Sequence, residues 1–294
     1  MKVVKLNIDN VKDFVAYCKR YATQQDESYI PRDDYTPRED ELIYLLFSSD
    51  NQLTGVAALM LYREYREIKK GRFRILHCID KNYDNYKNLL SEIEKNCAGI
   101  ENIYCFITEE KADIREIWEK LGFKIKRYSW VLDKKIEDKI SFQLRDGFLL
   151  KKIEHSRDEQ AWCNIINSAF ADIEGHTHML PERIDEMRKE KEYLEDGMNI
   201  LWNSGKPAGL IKLIKLNENG EDLMFIETLA VHPDYQGRGL GRMLLKYGVN
   251  FGKDMGLKRA MLSVNAENES ATDLYFKEGF KKAVVYICYN KQLS

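Results

Sequence analysis

The chain has 294 residues, of which 44% are hydrophobic and 32% are charged, and its formal net charge at pH 7 is −2. This length allows two ordinary domains, and the balanced charge gives no basic footprint for nucleic acid. The sequence shows no run of 18 apolar residues, no signal-peptide pattern and no CxxC spacing among its six cysteines. We therefore expect a cytoplasmic protein with reduced thiols, no metal, no nucleic-acid partner and no membrane association.

The two halves of the chain repeat the same order of predicted elements. The segment WEKLGFK at 118–124 aligns without a gap with YFKEGFK at 275–281, at an offset of 157 residues. The apolar strands at 103–107 and 260–264 coincide at the same offset. Each half reads strand, helix, hairpin, strand, helix, strand, helix and final strand. This order predicts an α+β fold, close to α/β, with helices on both faces of a sheet.

A charged stretch, KKIEDKISFQLRD at 134–146, lies between the two repeats. We place the domain boundary there and predict domains at 1–135 and 147–294. The alternative is a chance likeness between two unrelated α/β halves. The matching Gly-Phe context and the matching hairpin favour the repeat.

The most informative stretch follows an apolar run that ends at Val231. A predicted turn, HPDY, comes next, then QGRGLG at 236–241, and then an apolar pattern of helical period. The glycines allow close approach of the backbone, and the first amides of a helix have no partner within it. Arg238 and Arg242 add positive charge. The segment predicts a loop that binds a pyrophosphate group, and the alternative is an ordinary glycine-rich turn.

This loop has neither the Gly-Lys-Ser/Thr of an ATP-binding P-loop nor the spacing of a dinucleotide fold. It resembles the Q/R-x-x-G-x-G/A signature of the GNAT superfamily of acyl-CoA-dependent N-acyltransferases, through Gln236, Gly239 and Gly241. Residues 262–283 resemble the second motif of that superfamily, a strand, an Asn and a helix with Leu-Tyr before Gly-Phe. The resemblance implies two tandem GNAT-type domains, each a mixed, mostly antiparallel twisted sheet flanked by helices, with acetyl-CoA as cosubstrate.

The resemblance also implies the members of the site. Tyr275 would protonate the departing thiolate, and its alternative role is that of a half-buried helix aromatic. Glu227, on the same face as Leu229 and Val231 by alternation, would be the base. A salt bridge or an exposed strand start would also explain Glu227, and some members of the superfamily use a chain of waters. The expected CoA-binding residues are Leu229, Ala230, Val231, Gln236, Gly237, Arg238, Gly239, Leu240, Gly241, Arg242 and Asn268.

The aligned first half lacks these features. Only three residues, 84–86, stand opposite the six-residue loop; none is glycine, and one is an aspartate that would repel phosphate. At the offset of 157, Trp118 stands at the position of Tyr275 and cannot donate a proton to a thiolate. Lys111 stands at the position of Asn268. We expect a degenerate first domain without CoA, as in tandem members of the superfamily such as mycothiol synthase.

We expect transfer of an acyl group, most simply acetyl, from CoA to a primary amine of a small molecule or peptide, by direct attack in a ternary complex. The first alternative is a CoA-binding regulatory protein without turnover. The second is an aminoacyl-tRNA-dependent peptidyltransferase, which needs a basic RNA surface and no CoA loop. His176 and His178 lie where an acceptor wall often forms in this superfamily, and we interpret them as polar loop residues. The sequence leaves the acceptor and the oligomeric state open.

Overall fold

A computed structural model describes residues 1–21, 29–171, 173, 178–218 and 220–293. The chain divides into two compact units, one made of Met1–Ser129 with Val285–Ser294 and the other of Trp130–Val284. Each repeat contains the predicted strands and helices in order, with one additional short helix, Arg63–Glu67 in the first and Glu182–Met187 in the second. The predicted fold class is confirmed. Among the helices of the described residues, none has the length and apolar character needed to span a membrane.

The first unit is a mostly antiparallel sheet with helices on both faces. Its strands are ordered β1-β2-β3-β4-β5-β12 in space, and only β4 and β5 run parallel. The strands are β1 (Lys2–Lys5), β2 (Glu41–Phe47), β3 (Leu53–Met60), β4 (Lys70–Cys78), β5 (Asn102–Thr108) and the end of β12 (Lys281–Gln292). The helices are α1 (Val11–Tyr21), α2 (Arg63–Glu67), α3 (Tyr83–Asn96) and α4 (Ala112–Lys120).

The second unit repeats this architecture. Its sheet has the order β7-β8-β9-β10-β11-β6, and β10 and β11 run parallel. The strands are the end of β6 (Lys124–Lys135), β7 (Phe148–Lys152), β8 (Met198–Asn203), β9 (Lys206–Glu218), β10 (Glu221–Val231) and β11 (Arg259–Asn265). The helices are α5 (Glu159–Ala169), α6 (Glu182–Met187), α7 (Leu240–Asp254) and α8 (Glu269–Lys277).

Each unit takes its last strand from the other repeat. The end of β12 belongs by sequence to the second repeat but pairs with β5 of the first unit, from Tyr286 to Gln292. The residues of β6 from Trp130 onward lie beside β11 in the second unit. Each compact unit therefore includes the strand that it receives from the other repeat. The predicted domains at 1–135 and 147–294 instead keep each repeat whole.

Matching contacts show that the exchanged strands occupy equivalent places. In the first unit, Lys291 Nζ donates to the carbonyl of Leu121 at 2.7 Å. In the second unit, Lys134 Nζ donates to the carbonyl of Glu278, also at 2.7 Å. Both partners of the first contact lie 157 residues from their counterparts in the second. The predicted offset thus holds for contacts as well as for sequence letters.

Cores cover both faces of the second sheet. One core lies under α7 and α8 and includes Met224 and Ile226 of β10. The other lies under α5 and α6 and includes Ala230 of the same strand. Strict alternation would put Met224, Ile226 and Ala230 on the same face, so the alternation along β10 shifts between Ile226 and Ala230, where the pairing with β9 is irregular.

The first unit contains a buried histidine. His77 is 1% exposed, and the hydroxyl of Tyr17 lies 2.8 Å from its Nδ1 atom. Tyr21 stacks on the imidazole ring. Burial, with a smaller contribution from the charge of Lys81, lowers the pKa of His77 to about 4. The folded chain therefore holds this imidazole neutral at physiological pH.

This histidine should make the first unit sensitive to acid. The unfolded chain binds the proton near pH 6.5 and the folded chain only near pH 4, so stability is lost as pH falls between those values. Urea denaturation should show that His77→Gln loses about 2 kcal/mol less free energy of unfolding between pH 7 and pH 4.5 than the wild type does. Equal losses in the two proteins would contradict the assignment.

Candidate functional site

The loop at 236–241 joins β10 to α7 through a short 3-10 helix, Pro233–Tyr235. Gly237 and Gly239 have φ angles of 71° and 75°, which glycine adopts at little cost. Gly239 immediately precedes α7, and no described side chain caps the helix there. Leu240 is buried and anchors the first turn. The first amides of α7 are therefore available to an anion.

The two arginines predicted beside the loop differ in their surroundings. Arg238 is exposed, and its Nη2 atom donates to the carbonyl of Asp234 at 2.8 Å. Arg242 Nε lies 2.9 Å from a carboxylate oxygen of Glu278, a residue whose side chain is mostly buried. Much of the charge of Arg242 is thus neutralised within the protein, whereas Arg238 keeps its charge for a ligand.

A third arginine, Arg145, approaches the loop from the segment between the repeats. Its Nη2 atom lies 3.7 Å from the place that a Cβ atom would take at Gly239. Among the described residues, no carboxylate forms an ion pair with Arg145. A guanidinium beside the positive end of a helix is unfavourable by itself, so this arrangement suits a bound anion. Arg145 was not predicted as a site residue, because its segment at 134–146 has the charged pattern of a connection between repeats.

The strands β10 and β11 separate toward the loop. They pair only over Met224–Ile226 of β10. Beyond that segment, the described part of β10 pairs with β9 alone, through Leu229, Ala230 and Val231. Gln236 Nε2 donates to the Val231 carbonyl at 3.0 Å and holds the loop against the strand end. The edge of β10 that faces β11 is left with backbone groups outside the ladder, which an extended ligand can engage.

Glu227 occupies a β-bulge at the point of separation. The pairing of β10 with β9 passes from Ile226 directly to Thr228 and leaves Glu227 between them. A bulge puts two successive side chains on one face of the sheet. The carboxylate of Glu227 lies 2.7 Å from the ammonium of Lys212, and 33% of the Glu227 side chain is exposed. A carboxylate is thus held where the two strands diverge.

Because of the bulge, Glu227 lies on the face of the sheet opposite to the predicted one. Alternation put it beside Leu229 and Val231, but those two residues pack against the core under α7 and α8. Glu227 instead contacts Lys212, whose neighbour on β9, Ile211, belongs to that core. Lys212 and Glu227 therefore project from the opposite face, toward α5 and α6. One inserted residue reverses the alternation, which no pattern of residue types showed.

Tyr275 lies in α8 and is 9% exposed. Its ring belongs to the core under α7 and α8, together with Leu240, and Leu229 and Val231 pack against the same core. Burial raises the pKa of Tyr275 to about 12, so its hydroxyl is protonated at neutral pH. Among the described residues, nothing forms a hydrogen bond with that hydroxyl. The structure thus joins Tyr275 to the loop and strand, on the face opposite Glu227.

The remaining predicted residues have local structural contacts. The side-chain oxygen of Asn268 caps α8 by accepting from the Ala271 amide at 3.1 Å, which leaves its NH2 group for a ligand. His178 Nε2 lies 3.2 Å from the side-chain nitrogen of Asn167 in α5. His176 lies outside the described residues.

The first unit has closed the equivalent helix terminus with its own side chain. The side-chain oxygen of Asn82 accepts from the amides of Asp84 at 2.9 Å and Asn85 at 3.3 Å. Trp118, at the position of Tyr275, is fully buried in the core. The first turn of α3 therefore already has the acceptors that α7 lacks.

The bulge is also present in the first unit, but its charge is opposite. Pairing of β3 with β4 passes from Ile75 to Phe73 and leaves Arg74 as the extra residue. Arg74 forms a buried ion pair with Glu41, and the hydroxyls of Tyr35 and Tyr62 also donate to that carboxylate. A guanidinium cannot accept a proton, so Arg74 cannot act as a base at this bulge.

Comparison with known proteins shows which family the second half of the chain resembles. Residues 160–280 match the model of the Acetyltransferase (GNAT) family. The match contains the bulged strand, the loop and α8. The matched residues all lie in the second half of the chain, and the predicted resemblance to the GNAT superfamily is confirmed.

Particular relatives agree with this class. A mycothiol acetyltransferase from Kytococcus sedentarius is 22% identical over 179 residues, which are 60% of this chain and 60% of that protein. A GCN5-related N-acetyltransferase from Sphaerobacter thermophilus aligns with a TM-score of 0.72 at 16% identity, over 99% of this chain and 95% of that chain. A tandem GNAT protein from the clavulanic acid biosynthesis pathway aligns with a TM-score of 0.72 at 12% identity, over 100% and 98%.

The identity and coverage of these matches determine what they establish about the chain. At such identities the solved structures establish the fold, and they include a tandem GNAT protein. The chain spans between 48% and 60% of the length of the first curated relatives that it matches. The activity of the whole chain is therefore a proposal that rests on its own residues.

Proposed function

We propose that the chain transfers the acetyl group of acetyl-CoA to a primary amine by direct attack in a ternary complex. The observation that carries this proposal is the uncapped start of α7 at Gly239, beside strands that stop pairing at Ile226. Uncapped amides and left-handed glycines suit a pyrophosphate, and a separated strand edge suits an extended amide-containing arm.

The chain's own groups then divide the binding task. Backbone amides of the loop and of the first turn of α7 would hold the pyrophosphate. The free edge of β10 and the amide of Asn268 would hold the pantetheine arm, which points the thioester toward the bulge. The residues proposed to bind CoA are Leu229, Ala230, Val231, Gln236, Gly237, Arg238, Gly239, Leu240, Gly241, Arg242, Asn268 and Arg145.

Two side chains supply the proton transfers. Glu227 takes a proton from the acceptor ammonium, which frees the nitrogen lone pair. The nitrogen bonds to the thioester carbonyl carbon, the carbon–sulfur bond breaks, and sulfur leaves with the electron pair. Tyr275, which is neutral at physiological pH, donates its proton to that sulfur, and the second proton that the nitrogen loses as the amide forms restores the tyrosine. In this proposal the base and the acid approach the gap between the strands from opposite faces of the sheet.

The acceptor we propose is a small molecule with a cationic amine. The name shared by the curated relatives, mycothiol acetyltransferase, favours a small-molecule acceptor over a protein. An ammonium group is attracted by a carboxylate that is one-third exposed, as Glu227 is. We further propose that the first unit binds no CoA, because α3 is already capped.

The proposal is tested by a screen of primary amines with acetyl-CoA, in which free thiol is followed and acetylated products are identified by mass spectrometry. We expect thiol release that depends on a particular amine and saturates with it. A regulatory protein would bind acetyl-CoA without such release. A peptidyltransferase would not bind acetyl-CoA at all. If Glu227→Gln left the pH profile of the acetylation rate unchanged, water rather than Glu227 would be the base.

A further prediction concerns the charges around the loop. Replacing Arg238 or Arg145 with glutamine should weaken acetyl-CoA binding roughly threefold to tenfold in dilute salt, and less in concentrated salt, because exposed charges are screened. Calorimetric titration at two salt concentrations measures this. Arg242→Gln is the matched comparison and should have a smaller effect, since Glu278 already neutralises Arg242. A loss that does not depend on salt would mean that the substitution had changed the loop's shape.

A further inference from the structure

The proposed base, Glu227, forms an ion pair with a buried lysine, Lys212. The side chain of Lys212 in β9 is 2% exposed. Its ammonium lies 2.7 Å from one oxygen of Glu227 and 3.5 Å from one oxygen of Glu190, which follows α6. Both carboxylates are about one-third exposed, at 33% and 35%. One buried ammonium is therefore shared by two carboxylates that reach solvent.

These contacts are electrostatic rather than aligned hydrogen bonds. Within the described residues, the Lys212 ammonium has no hydrogen bond of normal geometry, despite its short distance to Glu227. Glu190 is fixed from its other side, because its second carboxylate oxygen lies 2.9 Å from Arg183 Nη2. Glu227 has no second cation of this kind among the described residues. Glu190 is thus the anchored carboxylate, and Glu227 is the one left free to react.

A charge balance explains why two carboxylates are needed. A buried ammonium is costly unless a negative charge accompanies it. If Glu227 were the only counter-ion, uptake of a proton from the acceptor would leave Lys212 buried and uncompensated. With Glu190 still ionised beside it, Lys212 stays neutralised while Glu227 holds the proton. The second carboxylate therefore lowers the cost of the proton-transfer step.

We infer that Lys212 is a positioning residue for the base Glu227 and that Glu190 is the counter-ion that sustains Lys212 during catalysis. This inference rests on the proposed function. It adds two residues that act through Glu227 rather than on the thioester. A charged residue inside the apolar run GLIKLIKL was the available sequence signal for Lys212.

The pairing is tested first without turnover, by NMR of the lysine side-chain 1H–15N groups in the full chain. The Lys212 ammonium signal is assigned by its loss in Lys212→Met. We expect Glu227→Gln and Glu190→Gln each to shift this signal. Glu186→Gln is the control, because Glu186 contacts Arg183 and not Lys212, and it should leave the signal unchanged. A signal that does not respond to Glu190→Gln overturns the shared pairing.

The catalytic role is tested with the amine found in the screen. Glu190→Gln and Lys212→Met should each lower kcat about tenfold and leave acetyl-CoA affinity unchanged, and Lys212→Arg should recover part of the loss. Because Glu190 acts through Lys212, the double variant should be no slower than Lys212→Met alone. Additive losses overturn this inference while leaving the proposed function intact. Absence of thiol release from the wild type with every amine overturns the proposed function and the catalytic role together.

Discussion

Replacing Gly239 with glutamate is expected to weaken acetyl-CoA binding by at least about a hundredfold, because three effects act together. Glutamate is strained at a φ angle of 75°, where Gly239 begins α7. Its carboxylate can accept from the helix amides and so compete with phosphate. Its charge also repels phosphate directly. Calorimetric titration should show one acetyl-CoA site per wild-type chain and no measurable site in this variant.

The chain offers a matched control at the other end of α7. Gly256 has a φ angle of 76° and open space where a Cβ would be, so Gly256→Glu adds the same strain and the same charge. We expect its acetyl-CoA affinity to equal that of the wild type. Two equal sites in the wild type, or an unaffected Gly239→Glu variant, would refute the assignment of the loop. Equal losses in both glycine variants would indicate damage to the helix instead.

Much of the fold was predictable because repeats preserve local order. The 157-residue offset found between 118–124 and 275–281 reappears in the two lysine contacts, Lys134 with Glu278 and Lys291 with Leu121. The exchange of the last strands was not predictable. Equivalent strands carry equivalent patterns, so the end of either repeat satisfies either sheet, and residue types alone do not choose between them.

The site shows a similar division. The loop at 236–241 was readable because glycine spacing and the change from strand to helix are local signals. The face of Glu227 depends on a bulge, which one extra residue in the pairing creates without a distinctive letter. The ion pair of Lys212 with Glu190 joins segments whose proximity only the folded sheet establishes. Charges in apolar runs were the one hint, and they mark Glu227 and Lys212 separately without showing that the two pair.

The first unit illustrates how a site is lost in physical terms. Sequence comparison showed the missing glycines opposite 84–86 and the tryptophan at 118. The structure adds that Asn82 supplies the helix cap and that Arg74 replaces a carboxylate at the bulge. The Asn82 cap satisfies within the protein the helix amides that the second unit leaves open to a ligand. At that helix terminus, the same residue therefore removes the anion site and adds local stability.

Tyr275→Phe is expected to slow the chemical step by about a hundredfold while acetyl-CoA affinity stays nearly unchanged. The phenylalanine ring keeps the packing of Tyr275 in the core and its contact with Phe280, at a centroid distance of 6.2 Å. Only the hydroxyl is lost, and because the pKa of Tyr275 is about 12 that hydroxyl carries its proton at the working pH. The departing thiolate then has to leave without a donor. Single-turnover mixing of enzyme-bound acetyl-CoA with the amine measures this step directly, since slow product release would otherwise hide the loss.

Trp118→Phe supplies the control, because Trp118 stands 157 residues before Tyr275 in the other unit. Trp118 is fully buried, so its substitution should cost about 1 to 3 kcal/mol of stability. It should nevertheless leave the single-turnover rate within about twofold of the wild type at temperatures where both proteins are folded. Equal slowing in both variants would trace the loss to packing. An unaltered rate in Tyr275→Phe alone would mean that water or another hydroxyl beside that core, such as that of Tyr235 or Tyr247, donates the proton.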